Sequence, residues 1–297
     1  MLLARHTIPL STLASVQARI HVGAMVSPRK IVQRVRGHEH GFIRRMVSPG
    51  DIGEAIKPFV FLDHVNGRVP PGAGFGWHPH SGIATLTYQL NADAQYEDTA
   101  GQKGLVAATG LEWMRAGGGT WHQGFIHSHG ETVEGFQLWV ALPPELENGA
   151  AEGIYVPPTD VPQVGNVRVL LGEYQGARNP IPAPSPIVYL DVVLRAGEQW
   201  TYKPAPDQTV TWAFPYRGDI VVGGEAAARE LLVFEEAAHA VTITASTDAR
   251  LLFGCARKHD HRLVLGSHSV HTSEPALRQG VATIREVGRQ LSAAGRL

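Results

Sequence analysis

Along most of the chain apolar and polar residues alternate in short runs, the two-residue period of a strand with one face buried. Ile83 to Leu90 (Ile-Ala-Thr-Leu-Thr-Tyr-Gln-Leu) alternates and is rich in strand formers. Gly135 to Leu142 (Gly-Phe-Gln-Leu-Trp-Val-Ala-Leu) predicts another strand, stopped by Pro143 and Pro144, which lack a backbone donor. In the second half Ile187 to Leu194, Val210 to Phe214, Asp219 to Val222, Glu230 to Phe234, Ala240 to Thr244 and Arg250 to Phe253 repeat the pattern. Turn residues such as Arg195-Ala196-Gly197 and Gly223-Gly224 separate them. One segment has helical periodicity. Between Pro275 and Ala294, Leu277, Val281, Ile284, Val287 and Leu291 recur at steps of three or four and form one apolar stripe. Many short strands at close spacing predict an all-β sandwich or barrel architecture, with the terminal helix packed outside a sheet.

The stretch from Pro143 to Val167 holds Pro143-Pro144, Pro157-Pro158 and Pro162 and separates two strand-rich halves. The expected organisation is a flexible extension over residues 1–25, a first domain over 26–150 and a second over 151–297. Up to His38 there is no acidic residue, whereas Arg5, Arg19, Arg29, Lys30, Arg34 and Arg36 are basic. A disordered extension ahead of a start at Met25 is the first reading of this stretch, and an address signal the second.

Composition narrows the partners. The formal net charge of -1 provides no global field toward nucleic acid or an anionic membrane. No run reaches the about 18 apolar residues of a membrane span. The single cysteine, Cys255, excludes an internal disulfide and any multi-thiolate zinc site, and fits a reducing, cytoplasmic setting. Its apolar surroundings make it a buried small residue and not a nucleophile. Fifteen histidines call for a reason, and metal binding is one.

The informative cluster is Trp77-His78-Pro79-His80, followed by Ser81-Gly82. Residues two apart on an extended chain point to the same side, so His78 and His80 project together. Pro79 places the segment at a strand start or edge. A third imidazole, His122, follows Gly117-Gly118-Gly119, a run that permits a tight turn back toward the first two. Three neutral imidazoles plus water suit iron, nickel, cobalt, copper or zinc.

The order of motifs then becomes specific. Lys57-Pro58-Phe59-Val60-Phe61-Leu62-Asp63-His64 is followed by Gly74-Phe75-Gly76 and His78-Pro79-His80-x-Gly82. After these come Leu111-Glu112-Trp113-Met114-x-Ala116-Gly117-x-Gly119-x-x-His122 and Gly135-Phe136-Gln137-Leu138-Trp139-Val140. This series resembles the N-terminal half of pirins, and the similarity extends from about Ile31 to the C-terminal helix. The resemblance implies two tandem cupin barrels, of which the first binds metal and the second usually does not. It implies one divalent transition metal, iron first, with nickel, cobalt, copper, manganese or zinc as alternatives.

The implied activity is a metal-dependent dioxygenase acting on flavonol-like, quercetin-type substrates. The alternatives are a metal-responsive regulatory protein that binds a protein partner, or a metal-poor relative. Neither direct nucleic-acid binding nor membrane insertion is implied.

The family's ligands are the two histidines of His-Pro-His, a later histidine, and a glutamate two residues beyond it. The first three carry over to His78, His80 and His122, but the fourth position is Gly124. Ala84 stands where pirins commonly have an acidic residue. Gln123 and, in an expected loop from Phe125 to Thr132, His127, His129 and Glu131 are the candidates to replace the lost carboxylate, with a solvated loop residue as the first reading of each. His38 and His40 fall outside the ligand pattern, and His64 is expected to hydrogen-bond near a turn at Asp63. His259, His261, His268 and His271 are assigned structural or surface roles. Trp77, Trp113 and Trp121 either line the pocket or pack in the core.

Overall fold

The computed structural model describes residues 29–70 and 72–297; the expected extension over residues 1–25 lies outside them. The first part of the chain forms β1 (Ile31–Val35), β2 (His38–His40), β3 (Ile43–Val47), α1 (Ile52–Ile56), β4 (Phe59–Gly67), β5 (Gly74–His80), β6 (Ile83–Gln89) and β7 (Ala92–Asp98). It continues through β8 (Lys103–Val106), β9 (Leu111–Arg115), β10 (Thr120–Ser128), β11 (Val133–Ala141), α2 (Pro144–Glu147) and β12 (Glu152–Val156). There follow β13 (Gln163–Val164), β14 (Val167–Leu171), β15 (Glu173–Tyr174), β16 (Ala177–Arg178), β17 (Ile187–Leu194), β18 (Gln199–Tyr202), β19 (Val210–Arg217) and β20 (Ile220–Val222). The chain closes with β21 (Glu225–Ala227), β22 (Leu231–Phe234), β23 (Val241–Ala245), β24 (Ala249–Ala256), β25 (Val264–Leu265), β26 (Val270–His271) and α3 (Glu274–Ala293).

The fold is all-β, two tandem cupin barrels with a C-terminal helix. In the first barrel a seven-stranded sheet, β12-β9-β6-β11-β4-β3-β2, faces the four strands β5-β10-β7-β8. In the second, β1-β22-β19-β24-β17-β14-β13 faces β18-β23-β20-β21. Each barrel takes one strand from the other's part of the chain. β1 pairs with β22 of the second barrel (Ile31↔Phe234, Val35↔Leu231), and β12 pairs with β9 of the first (Glu152↔Arg115, Val156↔Leu111).

The two large sheets pack on each other through a shared apolar core. Leu86, Tyr88, Leu111, Trp113 and Leu138 of the first meet residues such as Tyr189, Trp212, Phe214 and Leu252 of the second. A buried polar clamp crosses this seam: the Tyr88 hydroxyl donates to Asp191 Oδ2 (2.7 Å) and the Tyr216 hydroxyl to Asp191 Oδ1 (2.8 Å). Arg250 Nε donates to the same carboxylate at 3.0 Å and balances its charge.

The barrel interiors differ. The second is filled by Val169, Leu190, Trp200, Tyr202, Phe253, Cys255 and their neighbours. In the first, alternation sends Leu86, Tyr88, Leu111, Trp113 and Leu138 to the shared core and turns Thr87, Glu112, Gln137 and Trp139 the other way, into a cavity. A row of polar side chains cannot close-pack as the apolar row does, and the first barrel stays hollow.

The C-terminal helix α3 is capped by Ser273, whose side chain accepts from the Ala276 amide, and lies on the first barrel. The Trp121 indole donates to Ile284 O at 2.7 Å, and Gly288 lets the helix approach that ring. No helix among the described residues is long and apolar enough to cross a membrane.

Candidate metal centre

β5 and β10 run antiparallel, with His122 opposite His78 and Thr120 opposite His80. Directly opposed residues share a face, and so do residues two apart on one strand. The register therefore brings three imidazoles together. Their ring centroids lie 4.2 Å (His78–His122), 5.0 Å (His78–His80) and 5.0 Å (His80–His122) apart. One nitrogen from each lies within 4.8 Å of the others. The turn that returns the chain depends on Gly117: its φ is +53°, and an added Cβ would stand 2.3 Å from Gly149 O.

The hydrogen bonds orient the rings. His78 Nδ1 faces Gly76 O at 2.7 Å, and His80 Nδ1 faces His268 O at 3.1 Å. A carbonyl only accepts, so both Nδ1 atoms carry the proton and both Nε2 lone pairs are free, the usual arrangement around a metal. His122 Nε2 is buried and has no partner among the described residues. An orphaned buried nitrogen costs about 1–3 kcal/mol, which a cation at that point would relieve. Burial pushes His80 down to about 3, lowers His122 well below its ordinary range and lowers His78. All three rings are thus neutral near pH 7, and the set fits a divalent transition metal.

The histidines open into a cavity of about 650 Å³. Phe61 and Trp139 stack on its wall with centroids 4.0 Å apart, and Trp139 also meets His80 edge to face at 4.7 Å. Arg45 lies over the Phe61 ring and pairs with Asp63. Thr87, Gln89, Glu112 and Gln137 also line the cavity.

The family model named Pirin matches residues 42–140. A pirin-like protein of Solanum lycopersicum is 32% identical over 213 residues, which cover 67% of this chain and 68% of that one. The chain belongs to the pirin family. Among solved structures, a quercetin 2,3-dioxygenase from Acinetobacter baumannii superposes with a TM-score of 0.79 at 22% identity, over 86% of this pirin and 96% of that chain. The bacterial pirin YhhW from Escherichia coli, in complex with nickel(II), superposes with a TM-score of 0.61 at 21% identity, over 77% and 98%. At such identities the likeness speaks for the fold.

Several expectations need correction. The segment from Phe125 is strand as far as Ser128, where β10 ends, and a loop only from there to β11. It sends the candidate replacements for the lost carboxylate elsewhere. His127 pairs with Gln95 on the surface, His129 with Asp93 at 3.0 Å, and Glu131 with Arg68 at 2.7 Å. Gln123 lines the cavity but commits its amide to Glu97 at 2.9 Å. Gly124 lines the cavity and provides no carboxylate there. His64 sits within strand β4, not beside a turn, and is 3.0 Å from Glu134. None of Trp77, Trp113 and Trp121 lines this pirin's cavity; Trp113 packs between the barrels and Trp121 under α3. Ala84 is buried in the shared core, where an acidic side chain would be stranded.

His38 and His40 are exposed on β2. His259 faces the Leu142 and His261 carbonyls. His271 is buried between Ser81 Oγ (2.9 Å) and Glu147 Oε2 (3.0 Å). His268, expected in a structural or surface role, lines the cavity, and its carbonyl holds His80. Cys255 is buried, and burial pushes its thiol up to about 11, far from a nucleophile's range. Sequence reasoning also missed Thr87, Glu112, Gln137 and Trp139. The available signal was a polar residue at alternate positions of strands whose other positions are large and apolar.

Proposed function

We propose that this pirin holds one divalent transition metal, iron first, on His78, His80 and His122, and that it oxygenates a flavonol-like hydroxylated aromatic in the cavity beside them. The observation that carries this reading is the convergence of three neutral imidazoles, His80 buried and His78 and His122 half-buried, on the edge of a cavity with stacked aromatic walls. At about 650 Å³ it falls within the roughly 300–1,000 Å³ of small-molecule sites. The name of the Acinetobacter protein supports the substrate class, and the nickel complex of the Escherichia coli pirin supports a metal in this fold.

The proposal extends to the two domains. Apart from the exchanged strands β1 and β12, residues 26–150 make the metal-binding cupin and 151–297 a metal-free one, a reading supported by the apolar filling of the second barrel. The one histidine, cysteine or carboxylate trio found among the described residues is that of the first barrel.

A bound metal would supply a Lewis-acidic, redox-active centre with positions open to oxygen donors. The protein's own residues do the rest. The Nδ1 bonds to Gly76 O and His268 O hold two rings in their ligating tautomer. Phe61, Phe136 and Trp139 give the cavity an aromatic wall that suits an aromatic ligand and excludes water around it. Gly124 leaves β10 without a carboxylate, so another group must accept the proton of a ligand hydroxyl.

The test is elemental analysis of the purified protein together with flavonol absorbance under air. Near one metal ion per chain, with bleaching that a chelator stops and His80→Ala abolishes, is expected. A metal-replete protein that leaves flavonols untouched would overturn the oxygenase reading.

A further inference from the structure

We propose that Glu112 and Gln137 form a second polar pole of the cavity that grips a hydroxyl on the body of the ligand. The substrate is then an aromatic that carries a further hydroxyl besides the oxygens presented to the histidines. This rests on the proposed metal site and names the substrate feature it selects.

Glu112 lies on β9, and its side chain enters the cavity while Leu111 and Trp113 turn to the shared core. It is 8% exposed and has no cationic partner; among the described residues its hydrogen-bond partner is the Thr87 hydroxyl, 2.7 Å from Oε2. Its second carboxylate oxygen is left open to the cavity. The same Thr87 hydroxyl lies 2.9 Å from Gln137 Oε1, which brings the amide beside the carboxylate. Gln137 Nε2 is buried without a partner, and so is Gln89 Oε1 in the same wall.

The inventory of open groups identifies the occupant. An open carboxylate oxygen needs a donor, and an orphaned amide N–H needs an acceptor. A hydroxyl meets both demands at once, whereas a carbonyl answers only the amide and an ammonium only the carboxylate. A ligand carboxylate would be repelled, because no cation accompanies Glu112. Burial also lifts the Glu112 carboxyl to about 7, in the range suited to exchanging a proton with a phenol.

The experiment compares two probes on the metal-replete protein and on Glu112→Gln, which preserves shape and the Thr87 contact. The probes are 3-hydroxyflavone, whose one hydroxyl adjoins the carbonyl, and quercetin, which adds hydroxyls on both outer rings. Binding is read from the quenching of tryptophan fluorescence, with metal content measured on each sample. Glu112→Gln should keep its metal and bind 3-hydroxyflavone within about twofold of the wild type. It should lose about tenfold or more for quercetin, the size of a hydrogen bond to a charged acceptor.

Equal weakening of both probes, or of neither, would overturn the role of Glu112. Tight and discriminating binding without turnover would overturn the oxygenase reading and leave the Glu112 pole standing. A wild-type protein that binds neither flavonol would overturn both.

Discussion

The burial of Glu112 has a consequence for stability that can be measured without any ligand. Its carboxyl is raised from 4.5 to about 7, chiefly by desolvation. Between those pH values the folded chain keeps a proton that the unfolded chain has lost. Stability therefore falls as pH rises through this window and levels off above about 7. A change of that size is worth about 3 kcal/mol. His80 works in the opposite direction. Its ring is depressed to about 3, so its contribution is lost as pH falls below the ordinary histidine value.

The raw pH profile of the wild type sums these opposing slopes, and the informative quantity is the difference between wild type and Glu112→Gln. The amide keeps the Thr87 contact and cannot ionise. Urea unfolding of the metal-free protein should give nearly equal midpoints for the two at pH 5. At pH 8 the variant should be more stable by about 3 kcal/mol, with an unchanged dependence on urea. A difference that does not grow between pH 5 and pH 8 would refute the burial argument. A difference that grows as stated makes the buried carboxylate a cost to the fold that the site requires, in keeping with the usual tension between stability and activity.

Other perturbations have directions set by the same coordinates. Tyr88→Phe removes a bond to the buried Asp191 and should lower stability by about 1.5–3 kcal/mol in urea unfolding, since that acceptor is charged. His78→Ala should bring metal content, by elemental analysis, far below that of the wild type while the fold, read by circular dichroism, persists. Gly117→Val places a branched side chain at positive φ against Gly149 O. It should cost at least about 1 kcal/mol and weaken metal retention through His122. Retention of full metal content by that variant would show that the turn does not set the site.

Local order was legible in the residues. β17 spans Ile187–Leu194 as the alternation predicts, and α3 runs over Glu274–Ala293 against an expected Pro275 to Ala294. The projection of His78 and His80 to one side follows from a period of two, and the return of His122 from the Gly117 turn. These features depend on backbone geometry within a few residues, which side chains dictate directly.

The tertiary structure alone decided which face of each strand is the inside of a barrel. In β6, β9 and β11 both faces are covered, one by the other barrel and one by the cavity wall. Alternation separates Leu86 and Tyr88 from Thr87, or Trp113 from Glu112, without telling which set faces the site. The same holds for β1 in the second sheet, β12 in the first, and the His268 carbonyl on His80, which join residues far apart in the chain. A periodic pattern encodes that a strand has two sides. Only the packing of one sheet against another assigns those sides, because that choice is made by long-range contacts summed over the whole fold.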